Sequence, residues 1–519
     1  MTLLVDNWRI RTKWYRMYKW LFANLLIVAS LLCTAQEGVQ AILTFQNPFE
    51  IPSGEELVAL KATSTASPLL ITTKPGILYL RPIDIATGTP KKVLSIKSND
   101  EKRILKHEVI GDSIFCLVKS TENDRSITFE SVVYTMFNDQ LAEAARHPLS
   151  IKNLPNQRNA ETLFFSVDDR AKFSAAVRLV GYEISPDALI ELDVIDYKAN
   201  RQSSFNLPIP YGADDVKITQ MDITDEGIVY FTATAGMRLN SPFLKKNLFY
   251  SFNTADKELR EFDINKDKVY HQEMLAVSNQ EQINLITTFS SDPMLQAACH
   301  GYGWVEIDSN GAYLSKKAIN EFSPEVKSAL RIDSRSSQTS IEHLFIDDIY
   351  NLDGQVVGLF HQQYRDQVCT TDPRTGILSC TDQFHHDGII VHFSSNEVPT
   401  VVINRSQLDF DQEGPYLGYT SALIDQAIIL LYNDHEKNSN IFAEREMSNP
   451  SRANLRYVYI ESNGKYRSNS LDLDLGRGFV LLPKVKGFDK YGIVHNVYSN
   501  GKDFRLGLLN TQLIQTTTD

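Results

Sequence analysis

Short runs of β-branched and aromatic residues, separated by polar turns, recur from about residue 69 almost to the end of the chain. One such unit contains the apolar runs 228–233, 247–252 and 259–262, and the polar turn 225–227 precedes the first of them. Alternation with a period of two residues is typical of half-buried strands, and connections this short join antiparallel neighbours. This pattern constrains the fold more than any other feature, because it predicts an all-β protein made of antiparallel meanders.

The meanders repeat along the chain. Full units lie near residues 108–137, 163–195, 216–264, 268–318, 342–403 and 417–475. Their spacing of roughly 50 to 75 residues is typical of propeller blades with loop insertions. Incomplete units at 77–96 and 493–509 would close a ring if together they completed one blade. We therefore predict a β-propeller of about seven four-stranded blades, with six or eight also possible; a β-sandwich or a two-domain β protein is the alternative.

The strand that opens a unit is followed by a tight polar turn. Such turns are expected at residues 167–170, 224–227, 351–354 and 487–490. Asp and Gly are suited to these positions because they supply a side-chain hydrogen bond or a positive φ. The turns support the meander interpretation, although any all-β protein contains similar ones.

The N-terminal region predicts export. Residues 21–32 are apolar apart from Asn24 and Ser30, and five cations precede them. The run is too short to span a bilayer comfortably and is followed by small residues. We expect a signal peptide at 1–35, with a true start possibly at Met17, then an N-terminal extended segment at 36–68, the propeller at 69–511 and a polar tail at 512–519. The expected location is the periplasm or the extracellular space; an uncleaved or lipid-modified anchor is the alternative.

Composition and charge narrow the class of partner. Hydrophobic residues make up 43% and charged residues 22% of the chain, which is typical of soluble globular proteins and excludes disordered and collagen-like chains. The formal net charge is −12, and the Lys and Arg residues are scattered among carboxylates. Phosphate binding needs clustered cations, so no nucleic-acid partner is expected. A membrane partner is expected only if the N-terminal segment stays uncleaved.

Two cysteines bracket a turn-rich segment in the fifth full unit, at 342–403. Cys369 and Cys380 enclose residues 370–379, which the meander pattern does not order. In an oxidising compartment these two residues would form a disulfide that staples the loop. Cys116 and Cys299 lie in apolar strands and are interpreted as free, buried thiols.

Four histidines lie around the same loop. They are His361, His385, His386 and His392. Imidazole is a suitable ligand for transition metals, so these residues are the metal candidates, but their spacing matches no known motif and incidental surface histidines are the alternative. The segment 263–274 has the opening spacing of a calcium loop but lacks its glycine and its final glutamate. No cofactor is therefore expected.

A segment near the C-terminus carries a family resemblance. Residues 430–438, followed by a meander around Asn463-Gly464-Lys465, resemble secreted β-propeller-like proteins of Gram-negative bacteria. The resemblance covers about the last hundred residues. It implies an exported propeller, and it implies no catalytic residues because that group has no assigned chemistry.

No catalytic motif stands out in the sequence. Neither a nucleophile elbow nor a glycine-rich phosphate loop is present. We expect a binding or scaffolding propeller that presents loops to a protein, peptide or glycan. The alternatives are a carbohydrate-active hydrolase or lyase with carboxylates in the central funnel, and a membrane-anchored structural subunit of the cell envelope. The catalytic and binding residues are not assigned at this level.

Overall fold

The computed structural model describes most of the chain between residues 42 and 510. Its gaps are residues 63–67, 85, 99–101, 123–125, 138–139, 154–156, 159–162, 183–186, 237–245, 265–269, 279–281, 291–297, 309–310, 313, 331–339, 372, 396, 411–412, 425–426, 439–444, 472–478, 489–493 and 501. The expected signal peptide, the polar tail and residues 265–269 of the calcium-like segment lie outside the described residues.

Four sheets are formed by the first half of the described chain, and in each the strands pair in sequence order. Sheet 1 contains β3 (Glu56–Ala62), β4 (Pro68–Lys74), β5 (Ile77–Pro82) and β6 (Leu94–Lys97). Sheet 2 contains β7 (Lys102–Ile110), β8 (Ser113–Glu122), β9 (Ser126–Phe137) and β10 (Gln140–Asn153). Sheet 3 contains β12 (Phe164–Val167), β13 (Phe173–Tyr182), β14 (Ala188–Asp196) and β15 (Arg201–Ile209), with β11 (Gln157–Arg158) on β13. Sheet 4 contains β16 (Val216–Ile223), β17 (Ile228–Ala235), β18 (Lys246–Asn253) and β19 (Glu258–Asp263).

The second half forms four more sheets. Sheet 5 contains β20 (Tyr270–Ser278), β21 (Gln282–Ser290), β23 (Gly301–Asp308) and β24 (Leu314–Glu321). Sheet 6 contains β26 (Leu344–Leu352), β27 (Gln355–Thr371), β28 (Leu378–Phe393) and β29 (Val401–Phe410). Sheet 7 contains β30 (Tyr419–Ile424), β31 (Ala427–His435), β32 (Ala453–Glu461) and β33 (Tyr466–Leu471). Sheet 8 contains β34 (Val480–Phe488), β35 (Val494–Ser499), β36 (Asp503–Asn510), and β1 (Ile42–Phe45) and β2 (Phe49–Glu50) from the start of the chain.

The remaining elements are small. The strands β22 (Ala298–Cys299) and β25 (Ile341–Glu342) pair with each other between sheets 5 and 6. The helix α1 covers Pro324–Ser328 and a single 3-10 turn covers Pro450–Arg452. Among the described residues, no helix is long and apolar enough to cross a membrane.

Hydrophobic clusters fill the spaces between consecutive sheets. Each of the eight neighbouring pairs, including sheet 8 with sheet 1, shares its own buried cluster. The first strands of successive sheets also lie against one another; for example β12 contacts β16, β20 contacts β26 and β34 contacts β3. The sheets therefore stand radially around one axis with their first strands innermost, which is the architecture of a β-propeller.

The ring has eight blades. The predicted all-β propeller is confirmed, and eight is the upper of the counts that the sequence left open. The extra blade arises because residues 42–62 contribute strands: β1 and β2 complete sheet 8, whereas β3 opens a sheet 1 of its own. Pairing of β1 with β36 ties the first and last described strands into one sheet and so holds the ring closed.

The innermost strands share a local irregularity. In six of the eight blades the first strand carries a register shift against the second, in β3, β7, β16, β20, β26 and β34. Where a single residue is added, it is Val58, Leu105, Thr219 or Asp347, and all four of these residues are exposed. A β-bulge leaves the added residue unpaired and redirects its side chain. The bulges thus place side chains on the inner surface without disturbing the clusters between blades.

The polar turns after the first strands are present where they are described. The turn between β26 and β27 has Asp353 at φ 53° and Gly354 at φ 73°, and Gly227, between β16 and β17, has φ 83°. Only a residue that tolerates positive φ fits these positions. The Asp and Gly residues that predicted these turns therefore occupy backbone positions with positive φ, as expected.

Candidate functional site

Blade 6 carries a long hairpin that extends beyond its neighbours. Strand β27 pairs with β26 only as far as Gln362, and β28 pairs with β29 only from Gln383 onward. We call residues 363–382 the arm. Its tip exposes the aliphatic side chains of Ile377 and Leu378, which are 65% and 62% accessible.

The arm contains the predicted disulfide. Cys369 and Cys380 are directly opposite each other in the ladder, with their Cα atoms 4.0 Å apart, and their sulfurs are bonded. Among the described cysteines, Cys116 and Cys299 are buried thiols that form no disulfide, as expected from their apolar strands. The disulfide thus fastens a two-stranded element that no other strand supports.

Loss of this disulfide should loosen the arm and leave the ring intact. We expect the Cys369→Ser/Cys380→Ser protein to be cleaved near residues 371–378 at least about tenfold faster than wild type in limited proteolysis, since such a bond stabilises its loop by about 2–4 kcal/mol. The midpoint of global thermal unfolding should stay nearly unchanged, because the buried clusters lie outside the arm. A large fall in that midpoint would contradict the local role.

A polar cavity of about 320 Å³ lies at the base of the arm. Its wall is formed by blades 6, 7 and 8 and includes Asp347, Asp348, His361, Gln363, His386, Leu417, Gly418, Tyr419, Ser421, Pro483 and Lys484. Asp347 reaches this position because it is the bulged residue of β26. The cavity therefore collects titratable side chains on the inner surface of the ring.

The imidazole of His361 contacts one of these carboxylates. Its Nδ1 lies 2.6 Å from Oδ1 of Asp347, and its Nε2 lies 2.9 Å from the amide oxygen of Gln363. Burial would raise the pKa of Asp347, but the contacts with His361 and Tyr419 and the charge of Arg405 outweigh burial and lower it. Asp347 is thus an ionised hydrogen-bond acceptor at neutral pH.

His386 is the most enclosed titratable group of the cavity. Its side chain is 3% exposed, and its ring lies parallel to that of His361 with the centroids 5.9 Å apart. Burial lowers the pKa of His386 to about 4, although Glu413 acts in the opposite direction. The ring is therefore neutral at neutral pH and offers one donor and one acceptor.

Glu413 links the polar cavity to the neighbouring blade. Its Oε1 lies 3.3 Å from Nε2 of His386 and accepts a hydrogen bond of 2.8 Å from Nζ of Lys484. The contact with His386 lowers the pKa of Glu413 to about 2 against the effect of burial, and Lys484 adds to the lowering. Glu413 is therefore ionised at neutral pH, and its 3.3 Å approach to His386 is an electrostatic contact, because neither ring nitrogen of His386 has a hydrogen-bond partner among the described residues.

A buried arginine lies behind the cavity wall. Arg405 is 1% exposed, and its guanidinium carbon lies 5.0 Å from the centroid of the Tyr419 ring. None of its three guanidinium nitrogens has a hydrogen-bond partner among the described residues. Burial lowers the pKa of Arg405, while Tyr419 and Asp347 act in the opposite direction. Arg405 thus supplies a positive charge that holds Asp347 ionised without occupying its oxygens.

Two further cavities continue from the polar one. An apolar cavity of about 940 Å³ shares Lys484 with it and is lined by aliphatic side chains that include Leu57, Val58 and Leu482. A third cavity of about 440 Å³ shares Glu56 and Val58 with the apolar cavity. We call the row of three cavities the groove. It runs from blade 6 through blade 8 to blades 1 and 2.

The structure separates the four candidate metal-binding histidines. His361 and His386 line the polar cavity, whereas His385 stacks on Tyr364 at 4.5 Å and His392 packs on Tyr302 at 4.0 Å. Across the described parts of the chain, no group of three or more His, Cys, Asp or Glu side chains is arranged to hold a metal ion. Two of the four histidines therefore belong to the cavity, and the other two belong to separate ring contacts.

Most of the cavity residues were not singled out from the sequence. The consecutive carboxylates Asp347 and Asp348 interrupt the alternation of an opening strand, which is a local signal for a bulge. Glu413 and Lys484 are distant in sequence and lie in segments with no motif. They are recognised as site residues only in the structure, where their side chains form an ion pair between blades 7 and 8.

No protein family and no curated protein matches the chain. Among solved structures, the chain is similar to the β-propeller domain of the Trilobed protease from Pyrococcus furiosus, with 11% identity over 79% of this chain and 94% of that one and a TM-score of 0.35. It is also similar to the WD40 domain of SCAP from fission yeast, with 10% identity over 92% and 99% and a TM-score of 0.35. The α-L-arabinofuranosidase arb93a from Fusarium graminearum has 6% identity over 68% and 94%, with a TM-score of 0.30.

Proposed function

We propose that this chain is an exported β-propeller that binds an extended peptide segment of a partner protein in the groove. The observation that carries the proposal is a row of three cavities, each of which shares at least one lining residue with the next. Single ligand pockets have about 300–1,000 Å³. A row of three pockets is suited to a chain whose successive side chains each enter one.

The lining favours a peptide over a glycan. Five of the fifteen residues that line the apolar cavity are aliphatic, among them Val58, Val480 and Leu482, whereas only Tyr416 and Phe504 are aromatic. Tyr416 is only 9% exposed, and Phe504 is stacked on Phe49. Sugar recognition uses exposed aromatic faces, whereas aliphatic pockets fit apolar peptide side chains.

Export is supported by the arm. The disulfide between Cys369 and Cys380 forms and persists in oxidising compartments, as the N-terminal apolar run also predicts. The resemblance to secreted bacterial propeller-like proteins agrees with this location. The arm stands beside the polar cavity, so its exposed aliphatic tip is available to the same partner.

The proposal is tested by selecting random peptides displayed on phage for binding to the protein. A glycan array is screened in parallel. We expect the protein to enrich peptides with apolar residues, and Val58→Asp to weaken the selected peptides by at least about tenfold, because a carboxylate would have to be desolvated in the groove. Val58 is 39% exposed, so the change should leave folding intact.

Thr219→Asp provides the matched control. Thr219 is the bulged, exposed residue of blade 4 and does not line the three cavities of the groove. It should bind the selected peptides like wild type. Binding on the glycan array without peptide enrichment would contradict the proposal, as would equal affinity of the two variants for the selected peptides.

A further inference from the structure

The third cavity of the groove differs from the other two in its charge. Among the described residues that line it, two are cations, Lys74 and Arg103, and one is a carboxylate, Glu56. The polar cavity and the apolar cavity show the reverse, because each has two lining carboxylates and Lys484 as its one described lining cation. The formal net charge of the whole chain is −12, so this surplus of positive charge is local. An anionic group is therefore attracted to this end of the groove.

The two cations are available to a ligand. Neither Lys74 nor Arg103 forms an ion pair with a described residue. Arg103 is exposed and Lys74 is partly buried, so both side chains reach solvent. Lys74 ends β4 of blade 1 and Arg103 lies at the start of β7 of blade 2, so the fold brings them together from two blades. An anion that enters the cavity would not have to displace a carboxylate from either of them.

The position of Arg103 in its sheet is an independent indication of an anion. In the ladder between β7 and β8, Arg103 lies directly opposite Lys119. Directly opposite side chains share one face of a sheet, and like charges at such positions are destabilising. Lys119 also forms no ion pair with a described residue. The charge of Arg103 thus opposes the pairing of these strands, and a bound anion would offset the repulsion.

The histidine in the cavity wall lies in the same positive field. Burial lowers the pKa of His107, and the charge of Lys61 on β3 lowers it further. His107 is therefore neutral at neutral pH, and its ring carries one N–H donor beside the two cations. Arginine and lysine bind carboxylates through charge-assisted hydrogen bonds, which are about twice as strong as neutral ones. A carboxylate is the anion that an unmodified peptide supplies.

We propose that the third cavity binds a carboxylate group of the peptide, held by Lys74 and Arg103. The inference rests on the proposed function and adds the chemical class that enters this end of the groove. Two sources supply such a group: the free carboxy terminus, and the side chain of an aspartate or glutamate. Glu56 and Val58 also line the apolar cavity, so an apolar residue next to the carboxylate would lie there.

Four small probes test the inference by ligand-observed NMR titration of the intact protein. N-acetyl-leucine carries a terminal carboxylate, and N-acetyl-glutamate α-N-methylamide carries a side-chain carboxylate. N-acetyl-leucine N-methylamide and N-acetyl-glutamine N-methylamide are their neutral matches. We expect at least one carboxylate probe to bind about tenfold or more tightly than its neutral match. The pair with the larger ratio identifies the source.

Two substitutions should change this affinity in opposite directions. Arg103→Gln removes a cation and should weaken the carboxylate probe about fivefold or more, whereas Glu56→Gln removes a competing carboxylate and should strengthen it up to about threefold. Lys217→Gln is the matched control, because Lys217 is an exposed cation on the innermost strand of blade 4 and lines none of the three cavities. It changes the net charge as Arg103→Gln does and should bind the probes like wild type.

Urea unfolding separates lost binding from a damaged fold. Arg103→Gln should be at least as stable as wild type, because it removes the repulsion with Lys119. Glu56→Gln keeps the test valid if Arg103→Gln fails to fold, since its expected effect is a gain of affinity.

The outcomes separate the two proposals. Equal binding of carboxylate and neutral probes, or no binding of any carboxylate probe, would overturn the inference. Selected peptides without aspartate or glutamate, whose synthetic acid and amide forms bind equally, would overturn it as well. Carboxylate probes that bind a protein which enriches no peptide would instead count against the proposed function alone, because the probes need only the third cavity.

Discussion

Replacing Arg456 with methionine is expected to lower the free energy of unfolding by about 3–5 kcal/mol. Arg456 and Asp434 are 2% and 5% exposed, and Nε of the arginine donates to Oδ2 of the aspartate at 2.8 Å. Asn438 donates to the other carboxylate oxygen at 2.7 Å, and Arg456 also donates to the Asn438 carbonyl. Methionine fills a similar volume but leaves a buried carboxylate and a buried carbonyl without their strongest donor.

Urea unfolding of wild type and Arg456→Met measures this effect. Arg467→Met is the matched control, because Arg467 lies on the adjacent strand β33 and its ion pair with Glu461, at 3.9 Å, is exposed to solvent. The control should change stability by about 1 kcal/mol or less. Similar losses for the two variants would show that burial of the Arg456 pair does not set its contribution.

The His392→Phe protein is expected to lose part of the acid sensitivity of the fold. His392 is 7% exposed, and its Nδ1 lies 2.9 Å from the hydroxyl of Thr400. Burial lowers the pKa of His392 from its ordinary value of 6.5 to about 4. Below pH 6.5 the unfolded chain therefore takes up a proton that the folded ring does not bind, and stability falls until about pH 4. The full difference corresponds to about 3 kcal/mol.

The pH dependence separates this effect from lost packing. At pH 7 the variant should be slightly less stable than wild type, because the hydrogen bond to Thr400 is gone, at about 1 kcal/mol. As the pH falls to 4.5, wild type should lose about 2–3 kcal/mol relative to His392→Phe, so the order of stability reverses. Urea unfolding of both proteins at the two pH values provides the measurement, and a constant gap between them would refute the linkage.

The sequence predicted the propeller because a meander is encoded locally. Alternating apolar residues and Asp or Gly turns require only neighbouring positions, and the units found at 216–264 and 268–318 correspond to blades 4 and 5. The blade count required non-local pairing. That β1 joins β36, with Ile42 opposite Asn510, depends on the far end of the chain and leaves no local signal.

Strand β10 shows that helix propensity alone does not decide the secondary structure of a segment. Residues 140–146 read Gln-Leu-Ala-Glu-Ala-Ala-Arg, a composition that favours helix. They nevertheless form β10 on the edge of sheet 2, where Arg146 pairs with Glu130 of β9. Cross-strand pairing outweighs a propensity of a few tenths of a kcal/mol per residue.

Only some residues of the polar cavity could be predicted from the sequence. The histidine-rich stretch directed attention to blade 6, and two of its members, His361 and His386, do line the cavity. The four metal candidates are close in sequence, but His385 and His386 point to opposite faces of β28, as neighbours on a strand must. His386 contacts Glu413 from the segment before β30, and Glu413 in turn pairs with Lys484 of β34, so pattern reading could not assemble the site.

Ring closure by β1 and β36 also has a mechanical consequence. Because Ile42 lies opposite Asn510, the two ends of the ring leave it side by side from the same end of an antiparallel pair. A pulling force applied between these ends would act along the hydrogen bonds between β1 and β36 and break them one after another. It would not load all of these hydrogen bonds at the same time, as a force parallel to the strands would. The β1–β36 pair should therefore open at low force when the two ends of the ring are pulled apart. A tether that carries tension would leave the ring closed if it were attached to one end only.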